Sequence, residues 1–122
     1  MVSGNPTLVL GASSNELRYS NKAIRMLVDC KLDVYAVGRK KGEVYGVTIQ
    51  NFFPKNILVD TLSIYLNISH QHQYIESIIG LSPNRVIFNP GTENPKLFNL
   101  LVSMGIKCEN SCTLVLLSTN QY

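Results

Sequence analysis

Short apolar runs alternate along this chain with longer segments whose apolar residues recur every three or four positions. Four runs lack the polar alternation of a half-exposed strand: Thr7 to Leu10, Val34 to Val37, Thr61 to Leu66 and Arg85 to Phe88. Such runs are typical of strands that are buried on both faces of a sheet. We therefore predict four central strands and two weaker ones, at Val44 to Ile49 and at Lys107 to Glu109.

Helical spacing fills the segments between these strands. Ser20 is predicted to cap a first helix, in which Ala23 and Ile24 begin a buried face. A second helix is predicted from a cap at Ser69 to Gly80, since a glycine can adopt the left-handed conformation that ends a helix. Both helices would connect one buried strand to the next.

The third predicted helix has the clearest ends. Asn94 is predicted as its cap and Pro95 as its first residue, with Met104 among its inward residues and Gly105 as its stop. Strands and helices that alternate in this way predict an α/β protein with a Rossmann-like, doubly wound, mostly parallel sheet and helices on both faces. Because no linker or repeat interrupts the pattern, residues 1–122 are predicted to form a single domain.

Composition narrows the classes of protein to which this pattern belongs. The chain has 122 residues, of which 45% are hydrophobic and 16% charged, as expected for a folded domain rather than a disordered tail. Its apolar runs are too short to cross a bilayer and its first residues resemble no secretion signal, so we expect no membrane contact and a cytoplasmic location. The three cysteines, an odd number without a C-x-x-C pair, favour reduced thiols over disulfides or a zinc site.

Positive charge is concentrated in one short segment. Arg39, Lys40 and Lys41 account for the whole formal net charge of +3. Proteins that bind long nucleic acids usually spread basic residues over a face, whereas one short cationic loop suits a small anionic ligand. We therefore expect a small nucleotide ligand and no nucleic-acid partner.

The first loop has the composition of a phosphate-binding turn. Gly11, Ala12, Ser13 and Asn15 follow the first strand, in the loop where dinucleotide-binding folds place phosphates. Gly11 would allow close approach of the backbone, while N–H groups and serine hydroxyls can donate to phosphate oxygens. The segment is not G-x-G-x-x-G, and an ordinary strand-to-helix turn is the alternative; its position in the first loop favours the phosphate interpretation.

The second strand ends without the acidic residue that binds ribose hydroxyls in NAD sites. Val37 and Gly38 are followed instead by Arg39 and Lys40. Cations at this position favour a nucleotide with an extra ribose phosphate, which NADP carries at the 2′ position and coenzyme A at the 3′ position. A solvated lysine-rich turn is the alternative, mainly for Lys40 and Lys41.

Two further loops are expected at the same edge of the sheet. Leu66 and Asn67 end one strand and would contact the base or the linker arm of a cofactor. Asn89 and Pro90 follow the next strand and would either line the site or form a plain turn. The two histidines are spaced so that they point to different faces, and we predict neither metal ligands nor catalytic residues.

Several weak motifs occur together in the order of one known family. They are Val9-Leu10-Gly11-Ala12-Ser13 with Asn15 and Ser20, Asp33 to Val37, Val44-Tyr45-Gly46, Asp60, Asn89-Pro90-Gly91, and Gly105-Ile106 with Cys112. Over most of its length the chain resembles the small, single-domain CoA-binding proteins, which are similar to the CoA-binding domain of the succinyl-CoA synthetase alpha subunit.

The resemblance implies a Rossmann-like fold with coenzyme A across the strand ends. Residues 11–13 would contact the pyrophosphate, with Asn15 and Ser20 in the same cofactor-binding set, and residues 37–40 would lie near the adenosine and its phosphate. The loops at Leu66 and Asn89 would line the rest of the groove. The family commonly has Asn-Pro after the second strand, where this chain has Gly38-Arg39.

The function implied by the resemblance is that of a coenzyme A or acyl-CoA binding module. Ligase activity does not carry over, because the phosphohistidine segment and the nucleotide-binding subunit of the synthetase are not in this sequence. An NADP-binding oxidoreductase is the alternative, and it would need a proton donor such as a tyrosine with a nearby lysine. An interaction protein with an empty cleft is a third class. The apolar tail from Thr113 to Leu117 is expected to pack on the domain edge or on a second subunit in a homodimer.

Overall fold

Seven short strands form one sheet in the computed structural model, which describes residues 6–122. Their bounds are β1 (Thr7–Leu10), β2 (Val34–Val37), β3 (Gly42–Val44), β4 (Val47–Gln50), β5 (Thr61–Ile64), β6 (Arg85–Phe88) and β7 (Lys107–Asn110). The order across the sheet is β3-β4-β2-β1-β5-β6-β7, and all neighbouring pairs are parallel except β3 with β4. The predicted Rossmann-like, mostly parallel sheet is confirmed, and the strand order reverses around β1.

Helices cover both faces of this sheet, as predicted. Their bounds are α1 (Tyr19–Asp29), α2 (Ile75–Leu81), α3 (Pro95–Ser103) and α4 (Thr113–Ser118). Side chains alternate between the two faces along a strand, so Leu8 and Leu10 pack with α2 and α3, while Val9 packs with α1. Within residues 6–122, no helix is long and apolar enough to span a membrane.

The start of α1 differs from its prediction. Ser20 does not cap the helix: Arg18 holds an extended backbone at the cap position, and the Ser20 side chain is buried in the first turn. The physical reason is that Arg18 O already accepts the first helical hydrogen bonds, from the N–H groups of Asn21 and Lys22. The helix lies where it was expected, but its cap was wrongly assigned.

The chain after β5 is less regular than predicted. Two turns of 3₁₀ helix, Ile68–His70 and His72–Tyr74, precede α2, so one continuous helix does not run through this segment. The C-cap is Ser82, in the left-handed conformation at φ 47°, rather than Gly80. Gln71 lies between the two turns and is fully buried, which draws the chain inward at the point where a regular helix would continue.

Helix α3 matches its prediction at both ends. The Asn94 side chain accepts a hydrogen bond from the N–H of Leu97 at 3.1 Å, and Pro95 is the first helical residue. Gly105 follows the helix with φ +87°. Met104, however, was wrongly predicted to point inward: it is 47% exposed, because it is the C-cap residue, where the backbone leaves the helical path.

The strand predicted from Val44 to Ile49 is in fact part of a hairpin. Strand β3 runs antiparallel to β4, and Tyr45 and Gly46 form the turn between them with φ values of 50° and 81°. Two successive positive φ values are characteristic of the type I′ turn that joins twisted strands. Tyr45 at the first turn position is a residue that rarely adopts this conformation, so the sequence pattern did not indicate a turn here.

The C-terminal segment packs on the domain itself. Leu117 and Tyr122 lie against the cluster formed by α1 and the central strands. The Tyr122 hydroxyl hydrogen-bonds the Thr7 side chain, and the Arg85 guanidinium lies 4.5 Å from the centre of the Tyr122 ring. The apolar tail thus covers the α1 side of the sheet, one of the two positions expected for it.

Candidate functional site

The loops after β1, β2, β5 and β6 meet at the carboxyl edge of the sheet. The first loop, residues 11–18, leans toward β2, since the N–H groups of Gly11 and Ala12 both donate to Val37 O, at 2.8 and 2.9 Å. On its other side, the N–H of Tyr65 donates to the last carbonyl of β1 at 2.7 Å. The first loop therefore starts between the ends of β2 and β5, which is where open α/β sheets bind ligands.

Two glycines make this close packing possible. A Cβ on Gly11 would lie 2.9 Å from the carbonyl carbon of Tyr65, and the φ of Gly11 is +96°, which residues with side chains rarely adopt. A Cβ on Gly38 would lie 2.2 Å from Ala12 O. On the side where a Cβ would stand, the close approach at Gly11 is therefore made by the protein's own backbone at Tyr65 and Leu66.

The hydrogen-bond donors that are free to bind an anion begin at Ser13. Unlike the two residues before them, Ser13 and Ser14 have backbone N–H groups that reach no protein acceptor in the described part of the chain. The N–H of Asn15 donates to Ser13 Oγ at 3.1 Å, and Asn15 Oδ1 accepts from the N–H of Leu17 at 3.0 Å. Unpaired N–H groups in a turn before a helix are the donors that bind phosphates.

Helix α1 begins directly after this loop. The N–H groups of Tyr19 and Ser20 open the helix, where backbone donors have no intrahelical acceptor. Ser20 is 4% exposed, so this predicted site residue lies almost entirely inside the protein at the start of the helix.

The basic segment lies beside the first loop. Arg39, Lys40 and Lys41 are exposed, and a Cβ on Gly42 would lie 3.2 Å from Ser14 Cβ, which places the two loops in contact. Within residues 6–122, one ion pair has an N···O distance below 4.0 Å, that of Arg85 with Glu109. None of the three cations of the basic segment therefore has an acidic partner at that distance among these residues. These three cations and the free donors thus form one electropositive corner.

The loops after β5 and β6 form the opposite side of the site. Leu66 is buried at the end of β5, close to Gly11, while Asn67 is exposed and accepts from the N–H of Ser69 at 2.9 Å. Pro90 is exposed. Asn89, in contrast, is fully buried, so its side chain does not face solvent at this edge.

Asn89 ties three elements together. Its Nδ2 donates to Ser63 Oγ and to Ile64 O, both at 2.9 Å, and its Oδ1 accepts from the N–H of Thr113 at 2.8 Å. These bonds join the ends of β5 and β6 to the start of α4. Of the two residues predicted to line the site after β6, Pro90 is therefore exposed and Asn89 is not.

Gln71 has a comparable role that the sequence did not reveal. Its Nε2 donates to Leu66 O at 2.9 Å and to Thr92 O at 2.7 Å, and its Oε1 accepts from Asn94 Nδ2 at 2.9 Å. The side chain is fully buried and connects the loop after β5 to the loop before α3. A glutamine in an irregular segment has no sequence signal that distinguishes it from a surface residue.

Tyr65 adds one buried polar group behind the first loop. Its hydroxyl has no hydrogen-bond partner within normal distance among the described residues, and burial raises the pKa of the phenol well above its ordinary value.

Taken together, the described residues form an anion-binding edge. It combines N–H donors at Ser13 and Ser14 with three unpaired cations and a far wall where Asn67 and Pro90 are exposed and Leu66 is buried. No group of three or more histidine, cysteine, aspartate or glutamate side chains within residues 6–122 is arranged to hold a metal ion. The arrangement suits a nucleotide with a diphosphate and a further phosphate group.

Comparison with known proteins supports the resemblance noted in the sequence. A family model described as a CoA binding domain matches residues 6–118. No match is found among curated proteins.

Solved structures share the fold over nearly the whole chain. The crystal structure of an uncharacterized protein is 43% identical, with a TM-score of 0.93, and the match covers 97% of this chain and 98% of that one. A protein from Thermus thermophilus is 20% identical, with a TM-score of 0.85 over 97% and 90% of the two chains.

A larger enzyme contains the same fold as one part of its chain. It is the dinucleotide-forming acetyl-coenzyme A synthetase 1 of Ca. Korarchaeum cryptofilum, in complex with phosphate and ADP, at 18% identity and a TM-score of 0.70. The match covers 89% of this chain but 26% of that chain, so it shows a common fold.

Proposed function

This chain belongs to the CoA-binding domain family, and on that premise we propose that it binds coenzyme A at the carboxyl edge of its sheet. The observation that carries the proposal is the contact between two loops, one with free N–H donors at Ser13 and Ser14 and one with three unpaired cations at residues 39–41. Coenzyme A carries two anionic groups, a diphosphate and a ribose 3′-phosphate, one for each of these loops.

The residues at this edge fit the two anionic parts of coenzyme A in different ways. Backbone N–H groups suit the diphosphate, because they point at oxygens without the flexibility of a long side chain. A guanidinium suits a terminal phosphate, because its planar fork can donate two hydrogen bonds to it. We therefore assign the diphosphate to Ser13 and Ser14, and the 3′-phosphate to Arg39 with support from Lys40.

The far wall suits the remaining part of the ligand. Leu66 and Pro90 would contact the linker arm of coenzyme A, with the Asn67 amide available for its polar atoms. The groups that meet at this edge are hydrogen-bond donors and cations, and both bind anions. We therefore propose that the chain is a binding module for free or acylated coenzyme A.

Calorimetric titration tests this proposal with three ligands: coenzyme A, dephospho-CoA and NADP. A charge-assisted hydrogen bond contributes about 1.5–3 kcal/mol, so removal of the 3′-phosphate should weaken binding by about one to two powers of ten. Arg39→Ala should remove most of this difference. Lys107→Ala is the matched control, because it deletes an exposed cation at the amino end of the outermost strand β7, away from the carboxyl ends of the strands.

The salt dependence provides a second measurement. The difference in affinity between coenzyme A and dephospho-CoA should narrow as ionic strength rises, because the cations are exposed and are screened. Equal affinity of the two ligands for the unsubstituted protein would refute the assignment of the 3′-phosphate. Tighter binding of NADP than of coenzyme A would favour an oxidoreductase.

A further inference from the structure

Two side chains of α1 reach back to the first loop. Asn21 is 2% exposed, and its Nδ2 donates to Ser13 O at 3.0 Å. Its Oδ1 accepts from Arg25 Nε at 2.9 Å. Arg25 Nη2 in turn donates to Glu16 O at 3.2 Å. Since Asn21 and Arg25 are four residues apart, they lie on the same face of the helix, and they bind the loop at two carbonyls.

The bond to Ser13 O determines where the neighbouring donor points. In a trans peptide, the C=O of one residue and the N–H of the next lie in one plane and point in opposite directions. Because Asn21 draws the Ser13 carbonyl toward α1, the N–H of Ser14 points away from α1. This N–H is among the donors of the first loop that reach no protein acceptor within the described part of the chain.

Arg25 fixes the other end of the same segment. Its bond to Glu16 O holds the peptide between residues 16 and 17, whose N–H already donates to Asn15 Oδ1 at 3.0 Å. The segment 13–16 is thereby held at both ends by one pair of side chains. Without them, its remaining hydrogen bonds are the short-range bonds of Ser13 and Asn15, which include the bond from the N–H of Arg18 to Asn15 O at 3.0 Å.

We propose that Asn21 and Arg25 are positioning residues of the coenzyme A site, which order segment 13–16 so that its free N–H groups face the diphosphate. This inference rests on the proposed function. Arg25 is assigned to act through the loop, because its Nε and Nη2 donate to protein oxygens on Asn21 and Glu16. Neither residue belongs to the contact set expected from the sequence.

Three substitutions separate the contributions of the two residues. Arg25→Met removes both bonds of the guanidinium but keeps its aliphatic length. Arg25→Lys keeps the charge but leaves one donor group for two acceptors. Asn21→Asp keeps an acceptor for Arg25 but replaces the donor to Ser13 O with a carboxylate oxygen, which repels that carbonyl. Lys107→Met is the control, because it removes one positive charge far from the loop.

Two measurements decide whether these residues position the loop. The first is the backbone order parameter of Ser14 and Asn15 without ligand, obtained from nitrogen-15 relaxation. We expect a decrease from about 0.85, typical of rigid backbone, to below about 0.6 in Arg25→Met, and an intermediate value in Arg25→Lys. The second is the affinity for coenzyme A, which should fall about tenfold in Arg25→Met and Asn21→Asp, or about 1.4 kcal/mol.

The charge-conserving variant separates positioning from a purely electrostatic effect. A cation acts on a phosphate across a Debye length, roughly 8–10 Å, so its loss changes the salt dependence even without contact. Arg25→Lys keeps the charge and should therefore show the same slope of log Kd against log salt as the unsubstituted protein, but it should bind coenzyme A more weakly; Lys107→Met should bind within twofold. Full affinity in Arg25→Lys would show that the charge alone acts, and would overturn the inference.

The outcomes for the inference and for the proposed function are distinct. Arg25 is half-buried, so Arg25→Met should not prevent folding. Unchanged order parameters in this variant would overturn the inference even if coenzyme A binds. Absence of coenzyme A binding by the unsubstituted protein would overturn the proposed function. In that event the order parameters of the ligand-free variants still decide whether Asn21 and Arg25 order the loop.

Discussion

Gly38→Ala should destabilise this protein although the backbone of Gly38 does not have a positive φ. Glycine-to-alanine changes at such positions commonly stabilise proteins by about 0.4–1 kcal/mol, because they reduce the entropy of the unfolded chain. Gly38 should be an exception. It is buried at the end of β2, against the first loop, and the alanine methyl group would meet backbone rather than a movable side chain.

The magnitude follows from the contacts of that methyl group. It would lie 2.2 Å from Ala12 O and 3.1 Å from Ile49 Cγ2, whereas real Cβ contacts are essentially never below 3.0 Å. Ala12 must therefore shift, and the shift strains the bond from its N–H to Val37 O, now 2.9 Å. Overpacking of this kind costs about 1–3 kcal/mol. After the gain in the unfolded state, a net loss of about 1–2 kcal/mol remains.

Thermal and chemical denaturation measure this loss. For a chain of this length, about 1–2 kcal/mol corresponds to a decrease in Tm of about 4–8 °C. Gly80→Ala is the matched control, because Gly80 lies in α2 with nothing within 4 Å of an added Cβ. Alanine there should stabilise the helix by up to about 1 kcal/mol.

The same pair of variants tests the link between this contact and the site. Gly38→Ala should also weaken coenzyme A binding, because it displaces the loop that presents Ser13, whereas Gly80→Ala should leave binding unchanged. If Gly38→Ala proved as stable as Gly80→Ala, the close packing of the first loop against β2 would be refuted.

Three further predictions concern the rest of the fold. Asn89→Leu should lower the free energy of unfolding by about 2–4 kcal/mol, because three buried hydrogen bonds are lost; a loss below about 1 kcal/mol in urea denaturation would contradict this. Stability should fall as the pH rises from about 9 to 11, because burial raises the pKa of Cys108 from 9.0 to about 11 and the unfolded chain therefore loses this proton first; Tyr65, whose pKa burial raises above its ordinary value of 10.0, should extend the fall to higher pH. Cys108→Val should reduce that fall in stability. Equal pH profiles of stability in Cys108→Val and in the unsubstituted protein would contradict the assignment to Cys108. Tyr122→Ala should destabilise by about 1–3 kcal/mol, since it removes the ring beneath Arg85, and an unchanged Tm would show that the C-terminal packing contributes nothing.

The central sheet could be predicted from sequence because its strands are buried on both faces. The runs at Thr7–Leu10 and Arg85–Phe88 have the bounds that the apolar pattern indicates. The edge of the sheet could not be predicted in the same way. Gly42–Val44 is a short strand that contains the exposed Glu43, so no apolar run marks it, and its turn begins with Tyr45, which gives no turn signal at the first position.

Helix ends show the same division between local and tertiary causes. The start of α3 could be predicted because Asn94 and Pro95 act on neighbouring residues. The segment around Gln71 could not, because its conformation depends on bonds to Leu66 O and Thr92 O, in two loops that are far apart in sequence. A short sequence window contains no information about the second of these loops.

The loops predicted to form the site meet at one edge of the sheet, but the contacts within the first loop depend on how the fold itself uses that loop. A glycine after a strand suggests room for a ligand, yet Gly11 faces the end of β5 and its N–H binds Val37 O. Residues 11–12 therefore bind the sheet, and donors are free only from Ser13 onward. The boundary between these two uses falls between residues 12 and 13, and the bond from Asn21 to Ser13 O turns the following N–H outward. Changes on either side of that boundary should consequently differ in kind: those at Gly11 should lower stability first, and those that release Ser14 should lower affinity first.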